Sequence, residues 1–219
     1  MAAKLGTGET LKAGADLGPL IARAAQKLGA SPGPARLGAI ETWLRLLQHW
    51  NTRVDLTAAR SLEELVDLML ADAWILASHI PLRARVVDVG TGAGAPGLAL
   101  ALLRDDLRVT LVEPLGKRTS FLRSVLGTLS RADVAVERVR GDALERSVAW
   151  DVAVSRATLP PPSWLALGTS LAAPGGGVWV LLAKDTPPSH PRAKPEADYA
   201  YTWPLTDQPR RAILYRVQT

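Results

Sequence analysis

The sequence contains no cysteine, and its only histidines are His49, His79 and His190. The absence of cysteine excludes disulfides, thiolate zinc sites, iron–sulfur clusters and cysteine nucleophiles. The three histidines are widely spaced, so a histidine metal centre is not expected either. The chemistry of this chain must therefore be carried out without soft ligands, and we expect no bound metal.

Long apolar runs are missing as well. The longest, Leu98–Leu103 and Val178–Ala183, have six residues each, whereas a transmembrane helix needs about 20. The first 17 residues lack the apolar stretch of a signal peptide. We therefore expect a cytoplasmic protein that does not associate with membranes.

The charge balance gives only a weak indication of a partner. The formal net charge is +5, and the basic excess lies entirely after residue 80. A basic protein often binds a polyanion such as nucleic acid, but an excess of this size does not identify one. The content of 47% hydrophobic and 21% charged residues is typical of a globular protein.

The order of the predicted elements indicates an α/β fold. Up to residue 80 the apolar residues recur with helical period, for example at Leu37, Ile40, Leu44 and Leu47. From Pro81 onward short β-rich runs alternate with helical runs. This alternation predicts a Rossmann-like, doubly wound and mostly parallel sheet of seven strands that ends in an antiparallel hairpin. We divide the chain into a helical segment, residues 1–80, which packs on the core, and a ligand-binding domain, residues 81–219.

A glycine-rich loop follows the first predicted strand. The segment Val86–Gly97 has glycines at alternate positions and leads directly into a helix. Glycines allow a ligand to approach the backbone closely, and the start of a helix presents free N–H groups. A tight structural turn is the alternative interpretation of the loop alone.

The end of the second predicted strand makes a ligand site more specific. Glu113 follows Gly90 by 23 residues, a position at which a carboxylate contacts ribose hydroxyls in doubly wound folds. The glycine spacing is not the Gly-x-Gly-x-x-Gly of dinucleotide enzymes. S-adenosylmethionine has no pyrophosphate, so it fits this loop better. Asp142 and Ala143 follow the third strand, where they could meet an adenine edge.

Several blocks of the sequence together resemble the RsmG family, also called GidB. This family comprises bacterial methyltransferases that modify N7 of a guanine in 16S ribosomal RNA. The blocks that carry the resemblance are Trp50-Asn51, Leu56-Thr57-Ala58, Asp88–Gly97, Leu115–Arg118 with Phe121–Arg123, and Ser155-Arg156-Ala157. The resemblance runs from about Leu37 to Lys184.

The resemblance implies a role for particular residues. The cofactor-binding set is Gly90, Gly92, Ala95, Glu113, Asp142, Ala143 and Arg156. Arg156 also lies where cofactor and target base meet, so it is the expected catalytic residue through positioning, and no general base is needed. The residues expected to contact RNA are Asn51, Lys117, Arg118, Arg123 and Lys184. The implied partner is 16S ribosomal RNA or the 30S subunit, and we expect a monomer.

The sequence also departs from the family pattern, and alternatives stay open. Met69 and Ala73 stand where the family usually has histidine and serine, Asp55 replaces an asparagine, and Ala95 replaces a larger residue. One alternative is therefore an S-adenosylmethionine-binding protein that binds RNA or a partner without turnover. A second is a small-molecule methyltransferase, and a dehydrogenase is disfavoured by the glycine spacing.

Overall fold

The computed structural model describes residues 16–145 and 149–218. The predicted helical segment, residues 1–80, and the predicted ligand-binding domain, residues 81–219, both include residues outside these ranges: 1–15 in the first, and 146–148 and 219 in the second. Three helices come first and are followed by alternating strands and helices. The elements are α1 (Leu17–Lys27), α2 (Pro34–Asn51), α3 (Leu62–Ala77), β1 (Arg85–Val89), α4 (Gly97–Leu103), β2 (Arg108–Val112), α5 (Gly116–Thr128), β3 (Ala135–Glu137), β4 (Trp150–Ser155), α6 (Pro161–Leu171), β5 (Ala172–Leu182), β6 (Ala193–Thr202) and β7 (Pro209–Val217).

The strands form one sheet in the order β3-β2-β1-β4-β5-β7-β6. The first five strands are parallel to one another, and β7 lies antiparallel between β5 and β6. The predicted seven-stranded, doubly wound sheet with a terminal hairpin is confirmed. The strand order reverses between β1 and β4, which in open α/β sheets is the place where ligands bind.

Helices cover both faces of the sheet, because alternate strand residues point to opposite sides. In β1, Val86 joins a core cluster with residues of α1 to α5, whereas Val87 and Val89 join a second cluster with α6. The first cluster is continuous from Leu17 to Leu214, so the predicted helical segment shares its core with the sheet. The division at residue 80 stays a prediction.

Helix α3 begins with a capping box formed by Ser61 and Glu64. The hydroxyl of Ser61 accepts a hydrogen bond of 3.1 Å from the N–H of Glu64, and the carboxylate of Glu64 accepts one of 2.7 Å from the N–H of Arg60. These contacts satisfy N–H groups that have no partner within a helix. They fix the start of the helix that carries Leu68, Met69 and Asp72 toward the sheet.

The hairpin strand β6 begins at Ala193 and includes Pro195. It is an edge strand, where a proline costs no ladder hydrogen bond, and the register shifts between Pro195 and Ala197. Ion pairs between Arg211 and Asp198 and between Arg216 and Glu196 join the two strands.

Candidate functional site

The loops after β1, β2 and β4 meet at the carboxyl edge of the sheet and surround a cavity of about 530 Å³. The turn between α2 and α3 covers it from above. We call it the glycine-loop cavity. Its lining includes Leu56, Thr57, Ala58, Leu68, Met69, Gly90, Thr91, Gly92, Ala95, Glu113, Leu115, Arg118, Arg156 and Thr158. Two distant predicted features, the glycine loop and Arg156, are thus brought together.

The glycine loop has a backbone that only glycine tolerates at its first position. Gly90 has φ +72°, and a Cβ atom there would lie 2.2 Å from Oγ1 of Thr158. The N–H groups of Gly90 and Thr91 donate to the carbonyl oxygen of Val112, at 2.8 and 3.1 Å. The loop is therefore fixed to β2 and pressed against the loop after β4.

Asp88 supports the glycine loop from below. Its side chain is fully buried, and Oδ2 accepts a hydrogen bond of 2.7 Å from the N–H of Gly97, at the start of α4. Burial raises the pKa of the Asp88 carboxyl group to about 6. The carboxyl group therefore anchors the end of the loop and does not line the cavity.

Glu113, which directly follows β2, provides a carboxylate at the wall of the glycine-loop cavity. Only 2% of the residue is exposed, yet it belongs to the lining. Its two oxygens accept hydrogen bonds from the N–H groups of Gly92, at 3.1 Å, and Leu115, at 2.9 Å. Nη1 of Arg118 lies 3.7 Å from Oε2. Two backbone donors and the nearby guanidinium group of Arg118 thus stabilise the charge of Glu113 at the cavity wall.

Asn51 acts through the turn that covers the cavity. Its Oδ1 accepts hydrogen bonds from the N–H groups of Leu56, at 2.9 Å, and Thr57, at 3.0 Å. The segment from Leu56 to Ala58 lines the cavity, whereas Asn51 itself stands behind it. Trp43 supports the opposite wall, since its indole N–H donates to the carbonyl oxygen of Ala93 at 3.1 Å.

Arg156 lies between the glycine-loop cavity and a second cavity. Its Nη1 is 3.2 Å from Oδ2 of Asp72 and also donates to the carbonyl oxygen of Leu68. Asp72 is 2% exposed, and its Oδ1 accepts hydrogen bonds from Tyr201, at 2.6 Å, and Trp203, at 3.2 Å. A buried carboxylate on α3 therefore orients Arg156.

The second cavity has a volume of about 220 Å³ and is formed with the β6–β7 hairpin, so we call it the hairpin cavity. It shares Leu68, Arg156 and Ala157 with the glycine-loop cavity. Five polar residues of its lining are not among the predicted site residues: Asp72, Asp185, Tyr201, Trp203 and Arg210. Tyr201 and Trp203 are two positions apart, a spacing that is typical of any strand. This spacing alone does not indicate a contact with Asp72.

Asp142 and Ala143 lie on a single turn of 3₁₀ helix, Gly141–Ala143, after β3. The turn touches the end of β1, because a Cβ atom at Gly141 would be 2.3 Å from Val89. Asp142 is exposed and forms an ion pair of 2.8 Å with Arg140. Neither Asp142 nor Ala143 is part of the lining of the glycine-loop cavity.

The residues predicted to contact RNA occupy several places. Lys117 is exposed on α5, and Lys184 is exposed just after β5. Arg118 lines the glycine-loop cavity beside Glu113. Arg123 is exposed and donates to the carbonyl oxygen of Val136 at 3.3 Å. The structure therefore places Arg118 with the cofactor-binding candidates and the other three on the surface.

The positions that depart from the family pattern differ in their relation to the site. Met69 and Ala95 are buried and line the glycine-loop cavity. Ala73 is fully buried within the hydrophobic core, and Asp55 is exposed on the covering turn. Only two of the four substitutions therefore change the surface that a ligand would meet.

Across residues 16–145 and 149–218, no three His, Asp or Glu side chains come together as metal ligands would. In the same ranges, every helix is too short or too polar to cross a bilayer.

Solved structures of low sequence identity share this fold. The Escherichia coli protein yhhF, described as a candidate methyltransferase, is 15% identical with a TM-score of 0.52, covering 68% of this chain and 85% of that one. TrmN from Thermus thermophilus is 18% identical with a TM-score of 0.50, covering 70% of this chain and 48% of that one. The fold is that of Rossmann-like methyltransferases.

Sequence relatives are considerably more similar. Two of them, both named ribosomal RNA small subunit methyltransferase G, come from Nocardioides sp. and Halorhodospira halophila. The Nocardioides protein is 37% identical over a region that covers 74% of this chain and 64% of the relative. The Halorhodospira protein is 39% identical over a region that covers 66% of this chain and 68% of the relative. The matched region thus spans about two thirds of the length of these relatives.

A protein-family model tests the same relationship independently of any single relative. The model described as rRNA small subunit methyltransferase G matches residues 36–188, which include the glycine loop, Glu113 and Arg156. Because this match covers well over half of the sequence, the chain belongs to the GidB family.

Proposed function

We propose that this protein transfers a methyl group from S-adenosylmethionine to N7 of a guanine in 16S ribosomal RNA. The observation that carries the proposal is the meeting of Gly90, Glu113 and Arg156 at one cavity in a member of the GidB family. The names of the relatives supply the expected substrate, the small-subunit RNA.

The residues of the glycine-loop cavity fit S-adenosylmethionine. Its volume of about 530 Å³ lies in the range of small-molecule sites. Glu113 offers a carboxylate for ribose hydroxyls, and Leu115, 53% exposed, offers an apolar surface for adenine. The backbone of Gly90 and Gly92 is open to the amino-acid part of the cofactor. Asp142 and Ala143 would reach the adenine only from the neighbouring turn.

The chain has to orient the reactants and has no proton to remove. When bound, S-adenosylmethionine supplies a methyl group already activated on a sulfonium sulfur. Guanine N7 carries a free lone pair, so alignment is the main requirement and no general base is needed. Arg156, 18% exposed at its side chain and fixed by Asp72, holds a positive charge at the border of the two cavities. There it would contact the base or the cofactor carboxylate.

Contacts with the rest of the RNA would come from the surface. Lys117, Arg123 and Lys184 are exposed and positively charged, as the phosphate backbone requires. We further propose that the protein acts in the cytoplasm, as a monomer, on 16S RNA or on the assembled 30S subunit.

The proposal is tested by incubating the purified protein with labelled S-adenosylmethionine and 30S subunits that lack the modification. We expect one methyl group per particle, at a guanine that then becomes susceptible to cleavage by borohydride and aniline. Calorimetry with S-adenosylhomocysteine is run in parallel. Cofactor binding without any transfer would overturn the proposal and favour a binding protein without turnover.

Variants at Met69 and Ala73 separate a normal enzyme from an impaired one. Met69→His changes the cavity lining, whereas Ala73→Ser changes the buried core. If the protein turns over normally, neither variant raises the transfer rate. A rise of tenfold or more with Met69→His would mean that this position limits turnover.

Salt dependence distinguishes RNA from a small-molecule substrate. Binding to RNA releases counterions, so the affinity falls steeply as salt rises. We expect the apparent affinity for 30S subunits to fall at least tenfold between about 50 and 200 mM salt, on the order expected for several phosphate contacts. The affinity for S-adenosylhomocysteine serves as the control and should change little.

A further inference from the structure

The hairpin cavity lies directly beside the expected methyl donor. The two cavities share Leu68, Arg156 and Ala157, so a group in one can reach a group in the other. About 220 Å³ is the space of roughly seven waters at ~30 Å³ each, enough for one flat heterocycle. An apolar wall that includes Trp164 and Val180 suits a ring better than a phosphate.

Arg210 and Trp203 form a stack at the wall of this cavity. The guanidinium carbon of Arg210 lies 3.7 Å from the centre of the Trp203 ring, and Arg210 is part of the lining. The indole N–H of Trp203 is fixed on Asp72 at 3.2 Å. A guanidinium plane held in this way is a platform on which a nucleobase stacks.

Asp185 lines the hairpin cavity on the side of β5. It follows β5, which is two strands away from β1 and the glycine loop, with β4 and Arg156 between them. Neighbouring strands are about 4.8 Å apart. A purine that directs N7 toward the glycine loop therefore presents its opposite edge, with N1 and N2, toward Asp185.

We propose that the hairpin cavity receives the target guanine, stacked on Arg210, and that Asp185 selects guanine by accepting hydrogen bonds from N1–H and the N2 amino group. A carboxylate pairs with this edge of guanine through two parallel bonds. Adenine has no proton on N1 and no amino group on C2, so it leaves Asp185 unpaired. This inference rests on the proposed function and adds to it the residue that reads the base.

Inosine is the probe for the contact with the N2 amino group, because it keeps N1–H and N7 but lacks that amino group. The substrates are 30S particles assembled with 16S RNA that carries guanosine or inosine at the mapped target position. For the wild-type protein we expect transfer to inosine to be about tenfold slower, the lower range for one specific base contact. Equal rates for the two bases would overturn the role of Asp185.

Asp185→Ala tests whether this residue causes the discrimination. We expect the guanosine rate to fall and the ratio of guanosine to inosine rates to fall close to one. Thr186→Ala, in the same exposed loop but outside the lining, should keep the wild-type ratio. A ratio that Asp185→Ala leaves unchanged would contradict the proposal.

Arg210→Ala tests the stacking platform. We expect the KM for 30S subunits to rise about tenfold, the lower range for one base stack, with no change in S-adenosylhomocysteine affinity. Arg211→Ala, which removes the ion pair with Asp198 on the neighbouring position, is the matched control. An unchanged KM for Arg210→Ala would show that the target base does not stack on Arg210. Failure of the proposed function itself would look different, since no variant and no substrate would show transfer.

Discussion

The hydroxyl group of Tyr201 donates a hydrogen bond of 2.6 Å to Oδ1 of Asp72. This contact joins the hairpin strand β6 to helix α3, while Oδ2 of the same carboxylate faces Nη1 of Arg156 at 3.2 Å. Burial raises the pKa of the Tyr201 hydroxyl, so it stays protonated and remains a donor. The hairpin, beyond the residues that match the family model, therefore helps to fix the side chain at the border of the two cavities.

Replacing Asp72 by asparagine should weaken the contact that positions the side chain of Arg156. The buried carboxylate holds Arg156, Tyr201 and Trp203, and the loss of its charge should lower the free energy of unfolding by about 2 kcal/mol. We expect kcat to fall at least tenfold with a much smaller change in cofactor affinity. The measurements are urea denaturation, single-turnover transfer and calorimetry.

Tyr201→Phe is the matched variant, because it removes one hydrogen bond to Asp72 and keeps the charge that faces Arg156. It should lower the free energy of unfolding by about 1 kcal/mol and reduce kcat less than Asp72→Asn does. Equal kcat values in the wild type and in Asp72→Asn would contradict a positioning role for Asp72.

Alanine at Gly90 should damage the glycine-loop cavity. The residue has φ +72°, and the new Cβ would overlap Thr158 at 2.2 Å. We expect the free energy of unfolding to fall by about 2 kcal/mol or more, which is the order of magnitude of backbone strain plus a steric clash. We also expect S-adenosylhomocysteine to bind at least tenfold more weakly.

Gly29→Ala is the control for backbone strain alone. Gly29 has a similar φ of +69°, but nothing lies within 4 Å of its added Cβ. The variant should lose about 1 kcal/mol of stability and keep its cofactor affinity. Comparable loss of affinity in both variants would show that general destabilisation, and not the contact with Thr158, weakens cofactor binding.

Removal of the Asn51 side chain should open the turn above the cavity. Two N–H groups, those of Leu56 and Thr57, lose their acceptor, at a cost of about 2 kcal/mol. Because Leu56 and Thr57 line the glycine-loop cavity, S-adenosylhomocysteine should also bind more weakly. Thermal melting and calorimetry of Asn51→Ala measure both effects.

The neighbouring variant Thr52→Ala serves as the reference for Asn51→Ala. The Thr52 hydroxyl donates only to the carbonyl oxygen of His49, at 2.8 Å on the exposed side. Thr52→Ala should therefore change the melting temperature only slightly and should leave the affinity for S-adenosylhomocysteine unchanged. If Asn51→Ala melts earlier but binds the cofactor normally, the turn has no part in the site.

The buried carboxyl group of Asp88 predicts a dependence of stability on pH. Its pKa rises from an ordinary 3.8 to about 6 in the folded protein, so the folded state keeps a proton that the unfolded state has lost. Stability from this group is therefore present below about pH 4 and decreases as the pH rises to about 6. The decrease should be about 3 kcal/mol.

Asp88→Asn isolates that contribution, because the amide stays neutral and can still accept from the N–H of Gly97. The free energy of unfolding of the variant relative to the wild type should rise between pH 4 and 6 and be constant above that range. Urea denaturation at a series of pH values measures it. A difference that does not change with pH would mean that Asp88 is already ionised at pH 4.

Some parts of the site follow from local features of the sequence. Glu113 and the glycine loop belong to a local pattern, in which a strand leads directly into the functional residue. The carboxyl ends of parallel strands lie at one edge, so their position follows once the strands are known. Arg156 could be placed at the crevice for the same reason.

Other parts depend on the orientation of single polar side chains, which the sequence does not show. Arg118 turns toward Glu113 although it shares a helix with exposed Lys117, and helical periodicity does not say which residue faces a cavity. Asn51 supports the covering turn from behind instead of facing the ligand. Both contacts join residues only five or six positions apart, but the local pattern of apolar residues does not show which way a polar side chain turns.

By itself, the sequence determined the α/β alternation, the doubly wound sheet, the glycine loop with Glu113 and the family resemblance, because each is encoded in short-range spacing. Only the tertiary structure decided that Tyr201, Trp203 and Arg210 lie beside Arg156, more than 40 positions earlier in the chain. Strand β7 inserts between β5 and β6 and carries the end of the hairpin to Asp72 on α3. The physical reason is that a buried carboxylate needs several donors, and here they come from distant parts of the chain.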